Sequence, residues 1–130
     1  MDRRNFLKQI IQGAVFLPLA PTSAWAIAGK TIVVQESPIA GFQYYDGEEV
    51  FAELRVQTPL LLEREQGNKY DANAVAIYYK QYKLGFVPKA ENTAVAQMLD
   101  RGEYLSAEIV KLEMSKNPWD RVRFQVALDA

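Results

Sequence analysis

The chain contains neither cysteine nor histidine. Without cysteine there can be no disulfide, no thiolate nucleophile and no lipidated cysteine behind an export signal. Without histidine the usual zinc ligand and the usual general base are both missing. Ser37, Ser106 and Ser115 therefore have no imidazole to activate them. Carboxylates could still hold a metal, but no calcium-loop spacing occurs. No glycine-rich loop of the kind that cradles a nucleotide phosphate is present either. These absences speak against an enzyme, a resident metal and a cofactor. No apolar run approaches the roughly 20 residues that cross a bilayer as a helix. A basic excess, the usual mark of a non-specific nucleic-acid binder, is also lacking: 15 basic residues face 16 acidic ones. Internal repeats and low-complexity segments are absent too.

What is present fits one domain, at 130 residues with 49% hydrophobic and 24% charged side chains, an ordinary globular balance. The first residues stand apart. Arg3-Arg4-Asn5-Phe6-Leu7-Lys8 is followed by a weakly apolar stretch to Ala20, broken by Gly13 and Pro18. Small residues then repeat an A-x-A pattern at Ala24/Ala26 and Ala26/Ala28. A basic start, an apolar middle and a small-residue end are the three parts of an export signal. The start resembles the twin-arginine signal, carried by Arg3, Arg4, Phe6 and Leu7, with Asp2 where Ser or Thr is commoner. Residues 1–28 are thus expected to be removed, by cleavage after Ala26 or Ala28. The rest would be exported to the periplasm or beyond, touching the membrane only in transit. An amphipathic helix docked on the domain is the competing reading, and Pro18 and Pro21 count against it. Without residues 1–26, 12 basic and 15 acidic residues remain, a net charge of about −3.

Across 29–130 short extended runs follow one another. Thr31–Gln35 is rich in β-branched residues and reads as a strand broken at Ser37-Pro38. Ile39–Tyr45 reads as a second extended piece, closed by Asp46-Gly47. Val50, Phe51 and Leu54 share one side of a short helix at about 48–55. Strands are expected at 60–65, 74–79 and 83–87, with a polar loop at 66–73. Pro88 opens a helix to about Arg101 whose stripe is Ala94, Val95, Met98 and Leu99, stopped by Gly102. Leu105–Met114 changes its apolar face partway, which predicts a bulge near Val110. Arg121–Asp129 alternates cleanly, with Val122, Phe124, Val126 and Leu128 on one side. Six or seven strands with two short helices point to a mainly β fold: an antiparallel, partly closed barrel with small helical inserts.

Three separated stretches stand out together. They are Gly41-Phe42-Gln43-Tyr44-Tyr45-Asp46-Gly47, then Leu62-Glu63-Arg64-Glu65 with Asn68-Lys69-Tyr70-Asp71-Ala72-Asn73-Ala74-Val75, then Lys83-Leu84-Gly85-Phe86-Val87-Pro88-Lys89-Ala90-Glu91-Asn92. In this order and spacing they resemble the HIRAN domain, from about Thr31 to Leu128. The resemblance implies an OB-like barrel and a non-catalytic binding module. The DNA-binding members capture the free 3′ end of single-stranded DNA, and other members stand alone. Carried over residue by residue, Tyr44 looks like a base-stacking position. Tyr70 and Asp71 look like the pair that packs on and hydrogen-bonds the terminal nucleotide, and Lys89 like a phosphate contact. Asn73 and Gln43 complete the implied site, although DNA-binding members can carry Arg at the position of Gln43 and a polar ring at that of Phe86.

Each of these residues also has a plainer reading. Tyr44 and Tyr45 alternate along the expected extended piece, so one of them should face the core. Tyr70 could plug the barrel end. Asp71 and Asn73 are residue types that staple loops to backbone amides. Glu63 and Glu65 read as an exposed charged strand edge, Arg121 and Arg123 as a solvated face, and Trp119 as a turn residue capping the core. The expected partner is a single-stranded DNA end bound by a monomer. The alternative is an exported domain whose aromatic cleft takes another ligand or an unknown protein partner.

Overall fold

The computed structural model describes residues 31–129. Arg3, Arg4, Phe6, Leu7, Ala24 and Ala26, the residues of the expected signal, lie outside the described residues. Six strands are found: β1 (Thr31–Pro38), β2 (Pro59–Arg64), β3 (Val75–Tyr79), β4 (Tyr82–Phe86), β5 (Leu105–Leu112) and β6 (Val122–Asp129). Two α-helices accompany them, α1 (Gly47–Val50) and α2 (Thr93–Asp100). Single 3₁₀ turns lie at Phe42–Tyr44, Phe51–Glu53, Lys89–Glu91 and Pro118–Asp120.

The strands form one antiparallel sheet in the order β1-β6-β5-β2-β3-β4. Register shifts curl it. One lies between Val33 and Gln35, and another between Ile109 and Lys111, at the bulge the face change of β5 predicts. The sheet is not closed by a ladder. Instead Ala40 and Phe86 exchange both backbone hydrogen bonds, at 2.8 and 2.9 Å, and join its two ends at a single bridge.

The core follows from alternation. Val122, Phe124 and Val126 of β6 point inward beside Ala107 and Ile109 of β5. Ile77 and Leu84 fill the other half of the curl. In β3 small Ala76 is as buried as its neighbours Val75 and Ile77, so both faces of that strand are covered.

Three expectations fail locally. Pro38 does not break β1 but is its last residue, tolerated because β1 ends the sheet order and a missing N–H costs little there. Ile39–Tyr45 is not extended. Gly41 adopts a left-handed conformation (φ 76°), and the chain turns into the Phe42–Tyr44 3₁₀ turn. Phe42 is buried and its ring lies against Gly47, where a Cβ would come within 2.5 Å of it. The segment therefore spends Phe42 on the core and leaves both Tyr44 and Tyr45 outside it. The expected helices are also shorter. The first divides into α1 and a 3₁₀ turn, and the second begins only at Thr93, after the Lys89–Glu91 turn. Its buried residues are Val95 and Ala96, with Ala94 exposed.

Candidate functional site

The Phe42–Tyr44 turn is closed by the Tyr44 N–H donating to Gly41 O at 2.9 Å. It is tied to β4 by Asp46, whose N–H donates to Lys83 O (2.9 Å) and whose Oδ2 accepts from the Lys83 N–H (3.2 Å). With Phe42 anchored inside, Tyr44 stands 77% exposed and Gln43 is exposed beside it. Tyr45 is held more closely. Its ring meets Phe86 edge-on at 5.7 Å, and Lys83 Nζ lies 4.9 Å from the Tyr45 centroid and 4.4 Å from that of Phe86.

The polar loop between β2 and β3 is organised by two side chains. Asn68 Oδ1 accepts from the backbone N–H groups of Tyr70 (2.8 Å) and Asp71 (3.0 Å), while its Nδ2 donates to Glu65 (3.2 Å). Asp71 Oδ1 accepts from the Asn73 N–H (2.9 Å), and its Oδ2 from Nδ2 of Asn92 (2.7 Å). Asn92 is 1% exposed, so this last bond satisfies a buried amide and pins the loop to the start of α2. None of these bonds uses the phenol of Tyr70, which is 84% exposed and plugs nothing. Lys89 Nζ donates to the backbone O of Tyr70 at 3.1 Å, which ties the implied phosphate contact to the loop that carries Tyr70.

The two halves meet at Lys83. Its ammonium lies 2.9 Å from Glu65 Oε2. Hydrogen bonding to Lys83 is the main reason the Glu65 carboxyl sits below the usual carboxylate range, against the opposing effect of burial. Burial works against the charge of Lys83, but the bond to Glu65 and the surrounding negative potential outweigh it and raise its pKa. Glu65 is thus a paired residue and not part of an exposed charged edge. Elsewhere Arg64 bridges the Ala74 carbonyl (3.1 Å) and Asp100 (3.0 Å), and braces β2 against α2. Hydrogen bonds from Gln66 and then Arg64 hold the Asp100 carboxyl below its ordinary value.

Of the residues singled out from the sequence, the structure brings Tyr70, Asp71, Asn73 and Lys89 together on one loop and its neighbour. Tyr44 and Gln43 sit on a separate turn that packs on β4. Asp71 and Asn73 staple the loop, as their plainer reading holds. Lys83, Asn68 and Asn92 were not singled out, and Glu65 was read only as part of a charged edge, although all four stand inside the motifs. The available signal was Asn68, placed ahead of two backbone amides it can accept from. Trp119 is exposed, on a turn packed beside the Tyr44 turn. Arg121 is not a free surface cation: it pairs with Glu48 (2.9 Å) and donates to Ser115 O (2.8 Å). It lines an open groove of about 350 Å³ with Phe51, Met114 and Lys116. Among the described residues no cluster of three acidic side chains could hold a metal ion, and no helix is long and apolar enough to cross a membrane.

The family model of the HIRAN domain matches residues 32–130. A crystal structure of a protein from Lactobacillus plantarum is 27% identical, with a TM-score of 0.67, covering 76% of this chain and 95% of that one. The crystal structure of the HIRAN domain of human HLTF is 17% identical, with a TM-score of 0.59 over 77% of this chain and 79% of that one, a likeness of fold. No curated protein matches. HIRAN domains are in general DNA-binding modules. The family match spans nearly all of the described residues and the curled six-stranded sheet accompanies it, so the chain belongs to the HIRAN domain family.

Proposed function

We propose that the domain is a non-catalytic module that binds single-stranded DNA at a free 3′ end, as a monomer, on the face carrying Tyr44 and Tyr70. The observation that carries this reading is the exposure of those two rings on turns whose backbones are otherwise locked. Stacking on aromatic faces tolerates any base, because every base has a π-face. Lys89 spends one N–H on the Tyr70 carbonyl and keeps others for a phosphate. Each oxygen of Asp71 accepts one bond, Oδ1 from Asn73 and Oδ2 from Asn92, and retains a lone pair for a terminal hydroxyl. A carboxylate repels phosphate, so this position favours a chain end over an internal nucleotide. Gln43 and Asn73 add neutral polar groups at the margins.

The test is binding of short oligonucleotides at low salt, with the 3′ hydroxyl free or blocked. Tighter binding of the free end by roughly tenfold or more is expected, the value of a lost hydrogen bond to a charged group. Equal binding would remove the end-capture mechanism, and no binding would remove the reading altogether. With few cations on the face, the salt dependence should correspond to only one or two phosphates.

The acidic balance of 27–130 favours a second reading, a cleft for a non-nucleic-acid ligand or protein partner outside the cytoplasm. It rests on export by the twin-arginine route. Replacing Arg3 and Arg4 together by Lys should leave the precursor uncleaved in the cytoplasm, seen by fractionation. Normal maturation of that variant would rule the route out.

A further inference from the structure

Lys83 lies where the three motifs converge. Its backbone is bonded to Asp46, its ammonium lies over the rings of Tyr45 and Phe86, and its ion-pair partner among the described residues is Glu65. The other oxygen of Glu65 accepts from Asn68, the residue that fixes the backbone of Tyr70 and Asp71. One carboxylate therefore joins the cation to the loop that presents Tyr70. Both partners are half-buried, with side chains 22% and 27% exposed, so the pair is less screened than a surface ion pair.

We infer that Lys83 is an anion subsite for a phosphate group and that Glu65 is its built-in competitor, a carboxylate occupying the place a phosphate oxygen would take. Carboxylate and phosphate oxygens are equivalent acceptors for an ammonium, and Lys83 has two further N–H donors beyond the one bonded to Glu65. The two rings hold the ammonium in position. A phosphate arriving at Lys83 must first displace Glu65, or its binding stays weak. The pair thus keeps Lys83 from adding affinity for any passing anion. The subsite stands on its own geometry, and only its occupation by DNA rests on the function proposed above.

Removing the negative charge of Glu65 is therefore expected to strengthen anion binding. Glu65→Gln keeps an oxygen for Asn68 and frees Lys83. Inorganic phosphate and a short single-stranded oligonucleotide are titrated separately by NMR into the wild type, Glu65→Gln and Glu65→Gln/Lys83→Met, with thermal melts confirming the fold. Phosphate should shift the side-chain resonances of Lys83. Its affinity should rise roughly three- to tenfold in Glu65→Gln, and the gain should vanish in the double variant. The oligonucleotide should follow the same order. Should Glu65→Gln unfold, Glu65→Asp, which draws the carboxylate back by one methylene, should move affinity in the same direction. Phosphate binding that is no tighter without Glu65, or that persists without Lys83, overturns the inference. If phosphate obeys this order while no variant binds the oligonucleotide, the subsite stands and the DNA-binding reading fails.

Discussion

Alanine at Gly85 is expected to lower the melting temperature by roughly 20 °C, or to leave the domain unfolded. Gly85 sits in β4 at φ 147°, a backbone conformation that side-chain-bearing residues rarely adopt. A Cβ there would lie 2.3 Å from the carbonyl oxygen of Ala40 and 2.7 Å from Ile39 Cγ2. That carbonyl cannot simply yield, since it accepts the Phe86 N–H at 2.9 Å in the bridge that joins the two ends of the sheet. Backbone strain costs about 1–3 kcal/mol, and losing two backbone hydrogen bonds adds about 1–3 kcal/mol. Against a total stability of about 5–15 kcal/mol, a cost near 4 kcal/mol is decisive, and in a domain of this size it corresponds to a shift of that order in melting temperature. Gly67→Ala is the control. A Cβ there meets nothing within 4 Å, and its melting point should stay within a few degrees of wild type. A Gly85→Ala protein that melts with the wild type would show that the bridge does not hold the curled sheet together.

That bridge marks the boundary of what could be read from the residues alone. The alternation of Val122, Phe124 and Val126 is a local signal with a local cause, and β6 forms where it predicts. The face change within 105–114 likewise locates the bulge of β5, because a period-two pattern can change face only where a residue is inserted. The Ile39–Tyr45 segment fails for a non-local reason. Its apolar spacing fits a strand, but Phe42 needs the space left by Gly47, and Gly41 supplies the left-handed turn that takes it there. Pro38 ends no strand early, because whether a missing N–H matters depends on which strands lie at the edge, a property of the whole sheet. Of the candidate site, the motifs name Tyr70 and Lys89, which a hydrogen bond joins, and Tyr44, which stands exposed on a separate turn. They did not show that Lys83 is paired with Glu65, 18 residues away, since no local pattern encodes which cation on β4 faces which carboxylate after β2. Nor did they separate the two tyrosines of the first motif, whose difference lies in what Phe86 and Lys83 do for Tyr45.

That difference decides where binding energy should be lost. Tyr44→Ala and Tyr70→Ala are each expected to weaken binding of single-stranded DNA by about 1–3 kcal/mol, roughly 5- to 150-fold, the range for removing one base–aromatic stack. Neither should alter the melting temperature measurably, because the rings are 77% and 84% exposed and the backbone bonds that shape both turns do not involve the phenols. If the rings stack on different nucleotides, their effects should add, and the double variant should bind at or below the limit of detection. Tyr104 provides the matched control. It is 76% exposed, as free as Tyr44, but it lies just before β5, where its carbonyl accepts the Asp129 N–H, and outside all three motifs in the sequence. Tyr104→Ala should bind as the wild type does. The comparison by fluorescence anisotropy separates stacking at a defined face from general loss of aromatic surface. Equal losses at Tyr104 and at Tyr70, or intact binding in the Tyr44→Ala/Tyr70→Ala protein, would place the ligand elsewhere on the domain. The groove between Phe51, Met114 and Arg121 would then be the next surface to probe.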